Sequence, residues 1–229
     1  SSQGHSMATN SDTAVPWIDG LTIGEVLRET AKKFPFQDAV VFCSQVFRLS
    51  WSAFDAEVDR IACGLLAMGL RRGDHFGVWS TNVPEWVTLQ FATARIGAVL
   101  VTINPSYRTN ELAHAIRQAD LWGLALIDKF KTTDYFASLR EAIPELAEHA
   151  SGELKSPQFP KLKWVVSLRG EPPKGTIAWQ TLLDQAGTVS AQELQTAERQ
   201  LKSSDPINIQ YTSGTTGSPK GAMLSHRNI

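Results

Sequence analysis

The chain has 229 residues, a length suited to one large domain or two small ones. Hydrophobic residues at 42% and charged residues at 20% exclude a disordered chain, a collagen and a disulfide-knotted miniprotein. The 22 basic and 23 acidic residues give a net charge of -1, without the basic excess or basic block expected of a nucleic-acid or anionic-membrane binder.

In chain order, residues 1–6 (SSQGHS, ahead of Met7) read as a cloning remnant and are set aside. Thr22 and Glu25 have capping-box spacing at the head of a helix, LTIGEVLRETAKKF. DAVVF and VFRLS follow as short strands. Phe54, Val58, Ile61, Leu65 and Met68 then form one helical face, which Gly69 ends. From residue 70 the pattern alternates. HFGVWS, GAVLVTIN and LWGLALID read as strands. VPEWVTLQFATARIG, TNELAHAIRQAD and KTTDYFASLREAIPEL read as the helices between and after them. Strands apolar throughout, each followed by an amphipathic helix, predict an α/β fold with a mostly parallel sheet covered by helices on both faces. SGELKSPQFP (151–160) and RGEPPKGT read as loops around a strand, KWVVSL. Two short helices are predicted near Trp179–Ala186 and Ala191–Leu201. No apolar run approaches the roughly 18 residues of a membrane helix. Cys43 and Cys63 lack metal-ligand spacing and sit in apolar contexts, so the expectation is two reduced core thiols in a cytoplasmic protein.

The chemistry concentrates in YTSGTTGSPKG, Tyr211–Gly221. Ile207, Ile209 and Tyr211 alternate with polar residues as in a half-buried strand, and AMLS after the loop can form a returning strand. Gly214, Gly217 and Gly221 let backbone N–H groups approach a ligand closely. Such amides form a concave anion nest. Thr212, Ser213, Thr215, Thr216 and Ser218 add hydroxyl donors, Pro219 fixes a turn, and Lys220 adds a positive charge. Many donors and no carboxylate suit phosphate oxygens. The nucleotide P-loop pattern fails here, because position 219 is proline and Lys220 is followed by glycine. A Ser/Thr/Gly linker between strands is the alternative, and the pattern alone leaves both readings open.

Other candidates are weaker. His226 closely follows the loop; a polar residue in the first turn of a helix capped by Ser225 is the reading, with a general base as the alternative. His75, His114 and His149 show no ligand spacing and read as surface or structural. Asp74 shapes a turn. Asn104, Pro105 and Tyr107 follow a buried strand, at the end where α/β proteins bind ligands, and read as a turn or a substrate-side group. Thr81 or Asn82, ahead of Glu85, reads as a helix cap.

YTSGTTGSPKG resembles the signature loop of the adenylate-forming superfamily. LSWSAF and ATARIGAVLVTINP resemble two further core motifs of that superfamily, in the right order. INPSYRTNEL, FKTTDY, LKSPQFPKL and DPINIQYTSGTTGSPKGAMLSHRNI are most similar to its medium-chain fatty acyl-CoA synthetase branch. The resemblance implies an ATP-dependent ligase. A carboxylate attacks the α-phosphorus of ATP-Mg2+, pyrophosphate leaves, and coenzyme A then takes the acyl group. It places Thr212–Lys220 around the departing phosphates, with Thr216 and Lys220 as catalytic groups. Magnesium, adenine and acyl ligands would lie beyond Ile229. Residues 7–229 are then expected to be a truncated N-terminal portion of the AMP-binding large domain, with 70–211 its main α/β part and 212–221 its phosphate-binding loop. The expected partners are small molecules, with no nucleic acid and no transmembrane segment. Surfaces bared by truncation would favour self-association. Aryl-CoA ligases, luciferase-like enzymes and amino-acid adenylation domains are alternatives within the superfamily. A free-standing α/β phosphate- or nucleotide-binding module is the alternative outside it.

Overall fold

The computed structural model describes residues 21–42, 47–212 and 220–226. Helix α1 (Ile23–Lys33) opens with the capping box read from the sequence. The Glu25 N–H donates to the Thr22 hydroxyl at 3.2 Å, and the Glu25 carboxylate accepts from the Thr22 N–H at 3.1 Å. Strands β1 (Asp38–Phe42) and β2 (Phe47–Ser50) pair antiparallel as a small separate sheet. Helix α2 (Trp51–Met68) buries Phe54, Val58, Ile61 and Leu65, the face that the spacing predicts. It ends at Gly69, whose φ of 102° lies in the left-handed region that glycine enters without a Cβ clash.

The alternating segment then builds the main sheet. In chain order it runs β3 (His75–Trp79), α3 (Pro84–Ile96), β4 (Val99–Ile103), α4 (Thr109–Gln118) and β5 (Gly123–Leu126). A two-residue hairpin, β6 (Lys129–Phe130) with β7 (Thr133–Asp134), precedes α5 (Tyr135–Ala142). Then come β8 (Trp164–Ser167), β9 (Ile177–Ala178), α6 (Trp179–Gln185), α7 (Ala191–Arg199), β10 (Pro206–Thr212) and β11 (Lys220–Ser225). The sheet order is β11–β10–β4–β3–β5–β8–β9. Every pairing in it is parallel except β10 with β11.

Connectivity explains the layers. The chain steps one way from β3 to β4 and back past β3 to β5. With right-handed crossovers, α3 and α4 must cover opposite faces. The packing agrees: α1, α2, α3, α6 and α7 touch one another on the first face, and α4 meets α5 on the second. Between these layers β3, β4, β5 and β8 are almost wholly buried. The first layer is also held by charge. Arg95, 1% exposed on α3, donates to Asp55 at 2.8 Å and Asp59 at 2.9 Å on α2, and to the Gly24 carbonyl on α1 at 3.1 Å. Arg28 of α1 joins Asp59 and Glu198 of α7 in the same cluster. Burial works to lower the Arg28 pKa, but the two carboxylates outweigh it and hold it above its usual value.

Three local expectations need correction. The helix read over KTTDYFASLREAIPEL starts only at Tyr135, because Asp134 accepts from the Ala137 N–H and caps it there. It stops at Ala142, since Pro144 lacks the N–H that a continuing helix needs; a 3-10 turn (Pro144–Glu148) follows. Neither Thr81 nor Asn82 caps α3: Val83 holds the cap position, with Pro84 at the first helical residue. The returning strand after the loop is longer than AMLS and takes in Lys220 and Gly221.

Candidate functional site

The carboxyl ends of β3, β4 and β10 converge where α3 and α4 leave to opposite faces, the place where α/β sheets open a crevice. A cleft of about 490 Å³ lies there, within the size range of small-molecule sites. Ser80, Thr81 and Asn82 line it from the end of β3, and Thr102, Asn104 and Pro105 from β4. Gln210 and Tyr211 line it from β10, and Trp86 covers it from the first turn of α3. A larger depression of about 880 Å³, lined by His149, Lys155, Ser156 and Lys163, sits at the amino end of β8. We assign the site to the smaller cleft, because three strand ends and the unpaired Trp86 N–H meet there.

Among the described residues the cleft lining carries no charged side chain, and its walls are mostly apolar with a few polar groups between them. The Trp86 indole N–H is buried without a partner among the described residues. The Asn104 carboxamide oxygen accepts from the Ser106 N–H at 2.9 Å and its hydroxyl at 2.7 Å, so Asn104 both shapes the turn into α4 and lines the cleft. Burial pushes the Tyr211 phenol above its ordinary pKa and keeps it protonated. Tyr107, read beside Asn104, is buried away from the cleft lining, with its hydroxyl unpaired. Glu85 turns to Arg169 at 3.1 Å rather than into the cleft. Sequence reasoning missed Trp86 and Gln210. A tryptophan in a periodic helix reads as core, and no pattern shows that its N–H ends against a strand terminus.

The loop residues Ser213, Gly214, Thr215, Thr216, Gly217, Ser218 and Pro219 lie outside the described residues. The flanking strands place their attachment points. Thr212 pairs with Lys220 across β10 and β11, and Tyr211 with Gly221. The stretch therefore leaves and rejoins the sheet at its carboxyl edge, beside the cleft. Among the described residues no group of His, Cys, Asp and Glu could hold a metal ion.

Residues 27–229 match the family described as AMP-binding enzyme. The chain belongs to this AMP-binding family. It is 42% identical over 213 residues to the mitochondrial medium-chain acyl-CoA ligase ACSF2 of Rattus norvegicus, covering 91% of this chain and 34% of that protein. It is 40% identical over 217 residues to the Homo sapiens protein of the same name, covering 93% and 34%. The chain thus spans roughly a third of the length of these relatives. The acetoacetyl-CoA synthetase from Streptomyces lividans shares its fold, with a TM-score of 0.72 at 24% identity, over 90% of this chain and 30% of that one.

In this AMP-binding chain His226 and His75 are structural. His226 is 4% exposed, and its Nδ1 accepts from the Ile23 N–H at the start of α1 at 3.1 Å. Burial pushes its pKa down to about 4, against the opposing pull of Asp205, so the ring is neutral near pH 7. It faces a helix start and not the cleft, which removes the general-base reading. The helix expected after Ser225 falls on residues 227–229, outside those described. His75 shares a 2.6 Å hydrogen bond with the Ala119 carbonyl. Asp74 accepts from the Arg71 N–H at 2.8 Å, the turn expected of it. Cys63 is free and buried, and burial raises its thiol pKa. Cys43 lies outside the described residues.

Proposed function

We propose that this chain is the nucleotide-activating part of an ATP-dependent, AMP-forming acyl-CoA ligase that acts on a medium-chain fatty acid. One observation carries the reading. The donor-rich stretch 212–221 connects β10 and β11 at the carboxyl edge of the sheet, beside a cleft with no carboxylate among its described lining residues. Relatives at 40% and 42% identity bearing the name medium-chain acyl-CoA ligase support the substrate class.

In this reading the stretch grips the β and γ phosphates while a fatty carboxylate attacks the α-phosphorus. Charge grows on the departing pyrophosphate, and positioned donors lower that barrier. Thr216 and Lys220 contribute most, and the glycines shape the backbone. Magnesium bound to ATP would shield the triphosphate charge; among the described residues no group of three or more His, Cys, Asp or Glu is placed to hold it. Coenzyme A is the second-step acceptor.

ATP–pyrophosphate exchange over a fatty-acid panel tests the proposal on this chain and on a protein as long as its relatives. The longer protein is expected to exchange with medium-chain acids, and this chain alone is not. Lys220→Ala in the longer protein should slow adenylation by about 10²–10³, the effect of losing one aligned transition-state donor. An unchanged rate in that variant rejects the role given to Lys220. Exchange with amino acids or aryl acids alone rejects the substrate class.

A further inference from the structure

Behind the cleft, the face of the sheet under α3 carries a polar cluster. Asn208, on β10, is 2% exposed and flanked by buried Ile207 and Ile209. Its Nδ2 donates to Gln90 Oε1 at 2.8 Å and to Thr102 Oγ1 at 3.1 Å. Gln90 lies one helical turn after Trp86 on α3, and Thr102 lies on β4. One amide thus joins three elements. Both Trp86 and Thr102 also line the cleft.

Three buried atoms of this cluster have no partner among the described residues: Trp86 Nε1, Gln90 Nε2 and Asn208 Oδ1. Turning both amides over keeps the bond between them and still leaves one unpaired atom on each. A leucine at 208 would fill similar space without that desolvation cost. Sheet register does not require the amide either, since backbone pairing from Asn208↔Leu100 to Tyr211↔Ile103 already joins β10 to β4. What Asn208 adds is direction. Backbone bonds align strands along one another, but they do not set how far the first turns of α3 stand from the end of β10. The Asn208–Gln90 bond ties α3 to β10 at one point, one helical turn from Trp86 and two residues from Gln210, both of which line the cleft.

We propose that Asn208 is a positioning residue that fixes the width of the cleft and the strand end Tyr211–Thr212, and so the binding of the nucleotide triphosphate. The ligand class rests on the proposed function; the mechanical part does not. The test is a double-mutant cycle of Asn208→Leu and Gln90→Met in a protein as long as its relatives. Kinetics are read for ATP, fatty acid and coenzyme A, and amide hydrogen exchange is read for residues 207–212. Each single variant should lower kcat/KM for ATP about tenfold, the worth of one hydrogen bond near the upper end of its range. The KM values for fatty acid and coenzyme A should stay within about twofold, and the double variant should be no worse than either single one. Exchange at 207–212 should quicken in all three variants. Equal losses for all three substrates, additive losses, or no change in exchange overturn the inference. If Asn208→Leu does not fold, Gln90→Met, on a half-buried helix position, carries the same readouts. Quickened exchange in a protein without ATP-dependent ligase activity would refute the functional reading and leave the mechanical one standing.

Discussion

Helix α3 separates two polar clusters that solve burial differently. On the face toward α1, α2 and α7, both terminal guanidinium nitrogens of Arg95 donate to carboxylate and carbonyl oxygens, while its Nε–H makes only an ion pair with Glu198 at 3.7 Å and no hydrogen bond among the described residues. On the face toward the sheet, Trp86, Gln90 and Asn208 are neutral, and each keeps an unpaired atom. The charged cluster is closed but for that Nε–H and joins helices to one another. The neutral cluster is open and stands behind a cleft. A buried charge without partners costs several kcal/mol, so the guanidinium of the first cluster needs its carboxylates. A buried neutral donor costs less, and the chain can hold it in readiness for a water or a ligand.

Breaking the closed side should give the largest effect. Arg95→Met removes the buried cation and leaves Asp55 and Asp59 with Arg28 alone, and should destabilise the fold by about 3 kcal/mol in denaturant unfolding, the lower end for a broken buried pair because both carboxylates are partly exposed. Arg28 compensates only in part, because it is also engaged with Glu198. A loss under about 1 kcal/mol would show that the two clusters do not differ as described.

His226 sharpens the comparison, since it is neutral and buried like the open cluster yet can become charged. Its pKa of about 4 in the fold lies below the ordinary 6.5. The unfolded chain therefore binds a proton first as pH falls. Stability from this group is complete above pH 6.5 and is lost progressively as the pH drops toward 4. The shift corresponds to about 3 kcal/mol. A protonated Nδ1 would also turn an acceptor into a donor facing the Ile23 N–H and the positive end of α1. Unfolding free energy measured from pH 7.5 to 4 should slope downward, and His226→Leu should flatten much of that slope. A wild-type slope retained in full by the variant assigns the pH dependence to other groups.

The sequence read these regions unequally, for physical reasons. Thr22, Glu25 and Gly69 were legible because caps act within three or four residues, and the apolar face of α2 was legible because its period is local. The β6–β7 hairpin was not, since its strands have two residues each and no apolar alternation. Thr81 and Asn82 looked like caps because their side chains suit that role, but Pro84 moved the helix start and left both in the cleft. The Asn208–Gln90 bond joins residues 118 positions apart, and no local pattern encodes it. For the site, the motif gave the residues of the loop, while the strand register Thr212↔Lys220 gave the edge from which it hangs.

The smallest effect lies where α1 begins. Three donors there are satisfied by three different means: the Thr22 N–H by Glu25, the Glu25 N–H by the Thr22 hydroxyl, and the Ile23 N–H by His226. Thr22→Ala removes one of them and should cost about 1 kcal/mol, the usual worth of an N-cap. Its pairing with His226→Leu decides whether this helix start behaves as a closed unit. If the groups act together, the first variant already frays the turn that His226 holds, and the double variant should cost clearly less than the two single losses added. Additive losses would mean that the cap and the histidine hold α1 independently. The tie that His226, just after β11, makes to α1 would then act on its own.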